Sequence, residues 1–302
     1  MTESGWRRNI MLTIAYDGTA YCGWQTQANG LAIQECIERG VEKLTGVRSV
    51  VLCAGRTDSG VHALGQVASL RTNSQIPVDQ FRRGLQSFLP EDILLVAARD
   101  VPMKFHATWS AVEKSYRYVL FDGVMCPPFL RHLVHRTRQP LDVEKMQAAA
   151  QSLLGRHDFR CFETHYPNKL TSVRTVRKVS LQRMKIWSPW HSSHEWLSGS
   201  QHISELRPAD TETAPWIVFD ITAVCFLYNM VRAIVGTLIR IGNGQRPVED
   251  LMQVIQSLDR KEAGMTAPAC GLYLVSVEYP PALLDMAAET SQDDTANSER
   301  SE

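Results

Sequence analysis

Two stretches of the chain repeat the same succession of hydrophobic patterns, and this repetition restricts the folds that the chain can adopt. In the first stretch, apolar residues alternate over 10–16 as in a half-buried strand, and apolar residues at helical spacing follow from Ile33 to Leu44. The other predicted elements are strands at 49–54 and 65–71, a helix through Phe81, Leu85 and Phe88, and a strand at 93–99. The first stretch therefore has the order βαββαβ.

The second stretch follows the same order with longer connections. Its predicted elements are a strand at 115–121, a helix from Val143 to Leu153, strands at 173–181 and 216–224, an apolar helical face from Met230 to Ile241, a helix at 248–258 and a strand at 271–279. Two such units predict an α+β protein of two tandem ferredoxin-like halves that share a broad, mostly antiparallel sheet. We expect the N-terminal half at 1–110 and the C-terminal half at 111–281.

Two segments do not fit this repeated pattern. Residues 186–214 hold Trp187, Trp190 and Trp196 among polar residues without a clear period, which predicts an inserted loop, either functional or mobile. Residues 282–302 are acidic and contain almost no large apolar side chain after Met286, so they predict a disordered tail.

Composition excludes several classes of protein. With 44% apolar and 21% charged residues, the chain is neither disordered nor fibrous. Its most apolar stretch, 217–241, is interrupted by Asp220, Arg232 and Arg240, which argues against a membrane span, and the N-terminus lacks the apolar run of a secretory signal. Seven cysteines without a C-x-x-C pair argue against a disulfide framework. A cytoplasmic protein is therefore expected.

A net charge of zero conceals an uneven distribution. Residues 281–302 carry six acidic side chains and one basic one, so the rest of the chain has a net charge of +5. The segment 164–194 holds six Lys or Arg residues and no acidic residue. Such a segment suits a phosphate backbone or is an ordinary solvated face, and charge alone does not choose between the two.

The segment CAGRTDSGVHALGQVASL, from Cys53 to Leu70, carries the strongest chemical signal. It predicts a strand, a tight turn flanked by Gly55 and Gly60, and a second strand, with Arg56 and Asp58 presented on the turn. A carboxylate and a guanidinium at the end of a sheet can serve catalysis. Alternatively, the aspartate hydrogen-bonds within its own turn and the arginine is its surface partner.

Six segments of the chain, in order, resemble the TruA-type tRNA pseudouridine synthases. They are YDGTAYCGWQTQ (16–27), AGRTDSGVHALGQV (54–67), FHATWSAVEKSYRYVL (105–120), LLGRHDFRCF (153–162), FLYNMVRAIVGTLI (226–239) and APACGLYLVSVEY (267–279). The resemblance covers roughly residues 8–281 apart from the Trp-rich insertion. It implies isomerisation of uridine to pseudouridine at positions 38, 39 and 40 of the tRNA anticodon stem-loop. It further implies a homodimer that clamps tRNA across a positively charged central cleft, with no cofactor, no metal, no DNA and no membrane partner.

The resemblance assigns the catalytic roles to three residues. Asp58 would be the nucleophile that attacks the uracil at C6 or the sugar at C1′, and sequence does not choose between these routes. Arg232 would pair with this aspartate and keep it ionised, unless it is a helix arginine that extends to solvent. Tyr116 would stack on the target base and help to remove the C5 proton, unless it only packs in the sheet, as is expected of Tyr118.

Two further residues take binding roles from the resemblance. Arg56 would fill the gap that the target nucleotide leaves when it flips out of the stack. Leu274 would line the uracil pocket. His62, which lies in the signature segment, is expected to be a structural hydrogen-bonding residue.

Two other classes of function fit the sequence less well. A non-catalytic RNA-binding protein of two RRM-like halves would need an RNP1-like run of aromatic residues, and the chain has none. A hydrolase acting on nucleosides or glycosides would need a second carboxylate near Asp58, and the signature segment offers one.

Overall fold

A computed structural model describes residues 5–164, 171–188 and 214–285 of the chain. The chain divides into two compact units. The N-terminal unit combines the described parts of Met1–Ser115 and Tyr273–Glu302, and the C-terminal unit comprises those of Tyr116–Leu272.

The N-terminal unit is built on an antiparallel sheet with one parallel neighbour. Its elements are β1 (Arg8–Tyr16), α1 (Ile33–Thr45), β2 (Val51–Cys53), β3 (His62–Thr72), α2 (Val78–Gln86) and β4 (Ile93–Val101), joined by the last strand of the chain, β10 (Leu272–Glu278). The order across the sheet is β4-β1-β3-β10, and β2 also pairs with β3. The β1–β3, β1–β4 and β2–β3 pairs are antiparallel, whereas β10 runs parallel to β3.

Both faces of this sheet are covered. The alternation in β1 places Ile10, Leu12 and Ile14 on one face, where all three are fully buried. The other face carries a cluster of buried side chains around Phe105 and Tyr279, which comprises Ala54, Val67, Val101, Phe105, Ala107 and Tyr279. The segment that follows β4 therefore lies directly on the sheet, close to the end of β2.

The C-terminal unit combines paired strands with three α-helices. Its elements are β5 (Glu113–Phe121), which begins at the end of the first unit, β6 (His135–Arg136), α3 (Val143–Ala150), β7 (Gly155–Asp158), β8 (Val173–Met184), β9 (Trp216–Ala223), α4 (Met230–Gly242) and α5 (Asp250–Ser257). The strand order is β5-β9-β8-β7, with β6 paired to β5. Ten of the thirteen residues of α4 are buried, so this helix is a core element.

The predicted class, a mixed α and β protein with mostly antiparallel strands, is confirmed, and every predicted helix and strand is present within a few residues. Strands β6 and β7 were not predicted because they are short and polar. The predicted second helix ends at Gln86, so Phe88 lies beyond it and is exposed. Most of the Trp-rich segment (189–213) and most of the acidic tail (286–302) lie outside the described residues.

Within the described residues, no helix is both long and apolar enough to cross a membrane.

Candidate active site

The signature turn connects β2 to β3 and is fixed mainly through its backbone. The Ala54 amide donates to the Val67 carbonyl at 2.7 Å, and the Val61 amide donates to the Asp58 carbonyl at 3.1 Å. The Gln66 side-chain amide donates to the Gly55 carbonyl at 2.7 Å. Gly60 has φ +76°, the left-handed conformation that glycine adopts without steric cost. Hydrogen bonds therefore hold the turn both where it leaves β2 and where it enters β3.

The loop between β1 and α1 packs against this turn at two glycines. A Cβ atom on Gly18 would lie 2.0 Å from the Val61 carbonyl oxygen, and one on Gly23 would lie 2.6 Å from the Thr57 carbonyl oxygen. The Trp24 amide donates to that same Thr57 oxygen at 3.0 Å. Only residues without a side chain permit this approach, which explains the spacing of glycines in YDGTAYCGW.

The side chains of the turn differ in exposure. Thr57 is buried and its hydroxyl shares a 2.8 Å hydrogen bond with the Tyr16 hydroxyl. Asp58 is half-buried and Arg56 is exposed. Thr57 thus anchors the turn from within, between the exposed Arg56 and the half-buried Asp58.

The segment that follows β4 and the start of β5 contact the two residues that precede the turn. The Thr108 hydroxyl donates to the Cys53 carbonyl at 2.6 Å, and the Lys114 ammonium donates to the Ala54 carbonyl at 2.5 Å. Burial raises the pKa of the Cys53 thiol to about 12, so this cysteine is neutral at physiological pH and is no competing nucleophile.

His62, the first residue of β3, is buried and held on two sides. Its ring stacks on Tyr273 with centroids 4.8 Å apart, and its Nδ1 atom accepts a hydrogen bond from the Gly18 amide at 3.1 Å. The Asp17 carboxylate lies 3.2 Å from the same nitrogen. These contacts make His62 a structural hydrogen-bonding residue, as the sequence predicts.

In the C-terminal unit, Arg232 lies in the first turn of α4, and hydrogen bonds orient its side chain. Its Nε atom donates to the Ala267 carbonyl at 2.7 Å, and Nη1 donates to the Asn229 side-chain oxygen at 2.8 Å. Asn229 adopts φ +59° just before the helix and also donates to the Thr164 hydroxyl at 2.6 Å. Arg232 is half-buried and rigidly held, unlike a helix arginine that extends freely into solvent.

Gly236 allows the segment 264–267 to reach this arginine. A Cβ atom on Gly236 would lie 1.7 Å from the Met265 carbonyl oxygen, so the segment rests directly on the backbone of α4. The Gly264 amide donates to the Thr237 hydroxyl at 2.8 Å, which fixes the register. This packing places the Ala267 carbonyl where Arg232 can donate to it.

Two tyrosines of β5 have different environments. Tyr116 is buried and meets Phe226 edge to face, with ring centroids 4.9 Å apart. Tyr118 is fully buried, donates to the Pro268 carbonyl at 2.7 Å, and has its pKa raised well above the ordinary value by burial. The prediction that Tyr118 is a packing residue is confirmed.

The five predicted site residues therefore fall into two groups. Arg56 and Asp58 share one turn of the N-terminal unit, and Leu274 pairs with Ala63 in the strand that follows this turn. Tyr116 and Arg232 belong to the C-terminal unit, where Tyr116 packs on Phe226, six residues before Arg232. Among the described residues, no group of three His, Cys, Asp or Glu side chains could hold a metal ion.

Sequence reasoning did not identify the residues that position these side chains. Gly18 and Gly23 lie in the recognised segment 16–27, and Gly236 and Asn229 lie in 226–239. Both segments were recognised from the sequence. The backbone atoms that each glycine approaches, however, are determined by tertiary packing.

Comparisons with known proteins show which family this chain resembles. Residues 12–110 and 149–280 match the family described as tRNA pseudouridine synthase. The tRNA pseudouridine synthase A of Acetivibrio thermocellus is 43% identical over 273 residues, which covers 90% of this chain and 100% of that protein. The proteins of the same name from Thermoanaerobacter sp. (strain X514) and Geobacter sp. (strain M21) are 37% and 36% identical, each over 90% of this chain and at least 99% of its own length.

These matches define the class of protein as a pseudouridine synthase, which is an isomerase. More narrowly, the chain belongs to the tRNA pseudouridine synthase family.

Proposed function

We propose that this chain isomerises uridine to pseudouridine at positions 38, 39 and 40 in the anticodon stem-loop of tRNA. The observation that carries the proposal is the GRTDSG turn, which presents the carboxylate of Asp58 from a rigid backbone in a member of this family. The reaction breaks the C1′–N1 glycosidic bond, turns the base and forms a C1′–C5 bond. C5 loses a proton and N1 gains one, so no oxidant, reductant or cofactor is required.

Asp58 acts as the nucleophile of this reaction. A carboxylate can add covalently to C6 or C1′ and later leave, which divides one difficult substitution into two easier steps. It is the only carboxylate on the turn, which favours this chemistry over a hydrolase with two carboxylates. Arg232 supplies the cation that keeps Asp58 ionised, because an opposite charge nearby stabilises the charged form. The hydrogen bonds from Arg232 to Ala267 and Asn229 support this role by restricting the guanidinium.

Three residues receive the target base. Tyr116, whose ring is fixed by Phe226, stacks on the uracil and assists removal of the C5 proton. Arg56 is exposed on the turn and occupies the space left by the flipped nucleotide. Leu274 is fully buried and provides an apolar wall for the uracil.

The proposal includes the larger organisation of the protein. The order β1-α1-β2-β3-α2-β4 supports a first ferredoxin-like half at 1–110, and the second half would span 111–281 with its insertion at 186–214. The functional form is a cytoplasmic homodimer that binds tRNA across a central cleft.

The decisive experiment uses tRNA with tritium at uracil C5 and compares the wild type with Asp58→Asn. The wild type should release tritium, whereas Asp58→Asn should lose more than about 10⁴-fold in rate because it lacks the nucleophile. Filter binding should show similar tRNA affinity for both. Asp79→Asn, the same change at an exposed position of α2, is the matched control and should retain full activity.

Each alternative outcome has a separate meaning. Binding of tRNA without tritium release by the wild type would favour the RNA-binding protein over the isomerase. Full release by Asp58→Asn would remove Asp58 from the mechanism. Transcripts with a single uridine at 38, 39 or 40 would show which positions are modified.

A further inference from the structure

The segment between β4 and β5 exposes a flat aromatic pair on the N-terminal unit. Trp109 is 83% exposed, and its indole lies parallel to the imidazole of His106, with ring centroids 4.2 Å apart and 10° between the planes. Most of the indole surface therefore faces water. One face of the indole is already covered by His106, so the opposite face remains for a ligand.

The pair is held in a fixed orientation. His106 Nδ1 accepts hydrogen bonds from the Thr108 amide at 3.1 Å and from the Trp109 amide at 3.4 Å. The Ser110 hydroxyl accepts from the His106 amide at 3.1 Å, and the Ser110 amide donates to the His106 carbonyl at 2.9 Å. A rigid aromatic surface loses little conformational freedom when a ligand stacks on it.

His106 is uncharged in this arrangement. A nitrogen that accepts hydrogen bonds from two amides carries no proton, so the imidazole is in its neutral form. Burial and the nearby Arg71 both lower the pKa of His106. The imidazole therefore backs the indole as a neutral ring at physiological pH.

Two arginines share the face of the sheet on which this segment lies. Arg71 of β3 is opposite Asn9, and Arg99 of β4 is opposite Met11, so both project to the same face as Asn9 and Met11. That face is covered by the segment after β4, because the Asn9 side chain donates to the Pro102 and Phe105 carbonyls.

Arg99 has unused hydrogen-bonding capacity. Its Nε and Nη2 atoms are buried and have no hydrogen-bond partner within the described part of the chain. Because these donors are buried, Arg99 acts on a ligand through its positive charge rather than through a direct hydrogen bond, and a positive charge attracts phosphate groups. The aromatic pair and these cations together match the two parts of a nucleotide.

The same segment is hydrogen-bonded to the end of β2, just before the signature turn. The Thr108 hydroxyl donates to the carbonyl of Cys53, which precedes Asp58 by five residues. Five residues span at most about 18 Å even when fully extended. A base on Trp109 and a base at Asp58 can therefore belong to one RNA molecule.

We propose that Trp109, backed by His106, is a stacking platform for an unpaired base of the RNA substrate, and that the positive charges of Arg71 and Arg99 attract the adjoining phosphates. This inference rests on the proposed function, since it concerns the same RNA. Unpaired bases of RNA stack on exposed aromatic side chains, and this contact tolerates any base because each has a π-face. The platform therefore serves many tRNA sequences.

The test measures tRNA affinity by filter binding for Trp109→Ala, Trp109→Phe and the control Phe129→Ala. Phe129 is 87% exposed and lies in the other unit, so it matches Trp109 in exposure. Loss of the stacking surface should weaken binding about 5- to 100-fold in Trp109→Ala. Trp109→Phe should stay within about 3-fold of the wild type, and Phe129→Ala should bind as the wild type does.

The salt dependence of tRNA binding separates the contribution of the stacking platform from that of the arginines. Arg99→Gln should reduce the slope of log affinity against log salt, because a positive charge near the phosphates is lost, whereas Trp109→Ala should leave that slope unchanged. Unchanged affinity in Trp109→Ala would overturn the proposal. A change in sedimentation of Trp109→Ala without RNA would also overturn it, because Trp109 would then be a protein contact.

Failure of the proposed function is recognised separately. Absence of tritium release from the wild type would refute the isomerase, while the affinity of Trp109→Ala would still report on the platform. Conversely, an active wild type together with an unchanged Trp109→Ala affinity would refute the platform alone.

Discussion

The two units hold their proposed catalytic side chains in opposite ways. Asp58 lies on a turn whose backbone is contacted by Trp24 and approached closely by Gly18 and Gly23. Arg232 lies on a helix, and its own side chain donates hydrogen bonds to Ala267 and Asn229. The position of the carboxylate is thus fixed by main-chain packing, whereas that of the guanidinium is fixed by hydrogen bonds of its own side chain.

This difference predicts how each region tolerates change. A turn fixed by backbone approach has no spare volume, so one added methyl group displaces main-chain atoms. A side chain fixed by several hydrogen bonds loses only part of its restraint when one partner is removed. Substitutions around Asp58 should therefore cost more activity than comparable ones around Arg232.

Among the substitutions that test this comparison, Gly18→Ala is expected to cause the largest loss of activity. Its Cβ would lie 2.0 Å from the Val61 carbonyl oxygen, so the loop or the turn must shift. A displacement of about 1 Å at a reacting group costs about 100-fold in rate, and we expect a loss of that size in single-turnover tritium release. Gly5→Ala is the control, because nothing lies within 4 Å of its Cβ position. If Gly18→Ala turns over at the wild-type rate, the turn is not held by this approach.

Asn229→Gly should have an intermediate effect. Glycine tolerates the φ of +59° at this position but removes the acceptor for Arg232 Nη1. We expect the rate at saturating tRNA to fall about 10-fold, the equivalent of one hydrogen bond to a charged group. Thr164→Val removes the other hydrogen bond of Asn229 and leaves the Arg232 contact in place, so it should remain near the wild-type rate. A loss as large as that of Gly18→Ala would contradict the contrast between the two regions.

Asp142→Ala gives the smallest expected effect, limited to stability. The Asp142 carboxylate caps α3 by accepting from the Lys145 amide at 3.0 Å, and this hydrogen bond holds the pKa of Asp142 below its ordinary value. Because the folded-state pKa is depressed, the stabilisation is present above the unfolded value of 3.8 and is lost as pH falls through the folded value.

Thermal unfolding measures this cap directly. Asp142→Ala should lower the Tm by a few degrees at pH 7, and the difference from the wild type should vanish in strong acid. Asp142→Asn keeps an uncharged acceptor, so its Tm should depend less on pH than that of the wild type. A constant deficit of Asp142→Ala at every pH would show that the carboxylate charge is not involved.

The sequence predicts the elements of this fold well because their hydrophobic periods are strong. The alternation in β1 and the apolar face of α4 both reappear as buried faces. It does not predict β6 or β7, because two or four polar residues carry no period and pair only through a neighbouring strand.

The candidate site residues were predicted from motifs that occur in a fixed order along the chain. The residues that hold their side chains in place were not predicted. Asp58 and Arg232 stand at recognisable positions of two segments. The contact of Gly236 with Met265 joins residues 29 positions apart, and the Trp109–His106 pair depends on the conformation of a short turn. Such contacts follow from packing in three dimensions, which periodicity along one chain does not encode.

The parallel pairing of β10 with β3 affects how the protein is made. His62 faces Tyr273 across this pair, so more than 200 residues separate the two strands in the chain. Contacts between such distant segments form late and slow folding, because a long loop must close first. During synthesis, β1 to β4 emerge from the ribosome well before their last partner. The edge of β3 beside the signature turn therefore remains unpaired until the final strand has been translated.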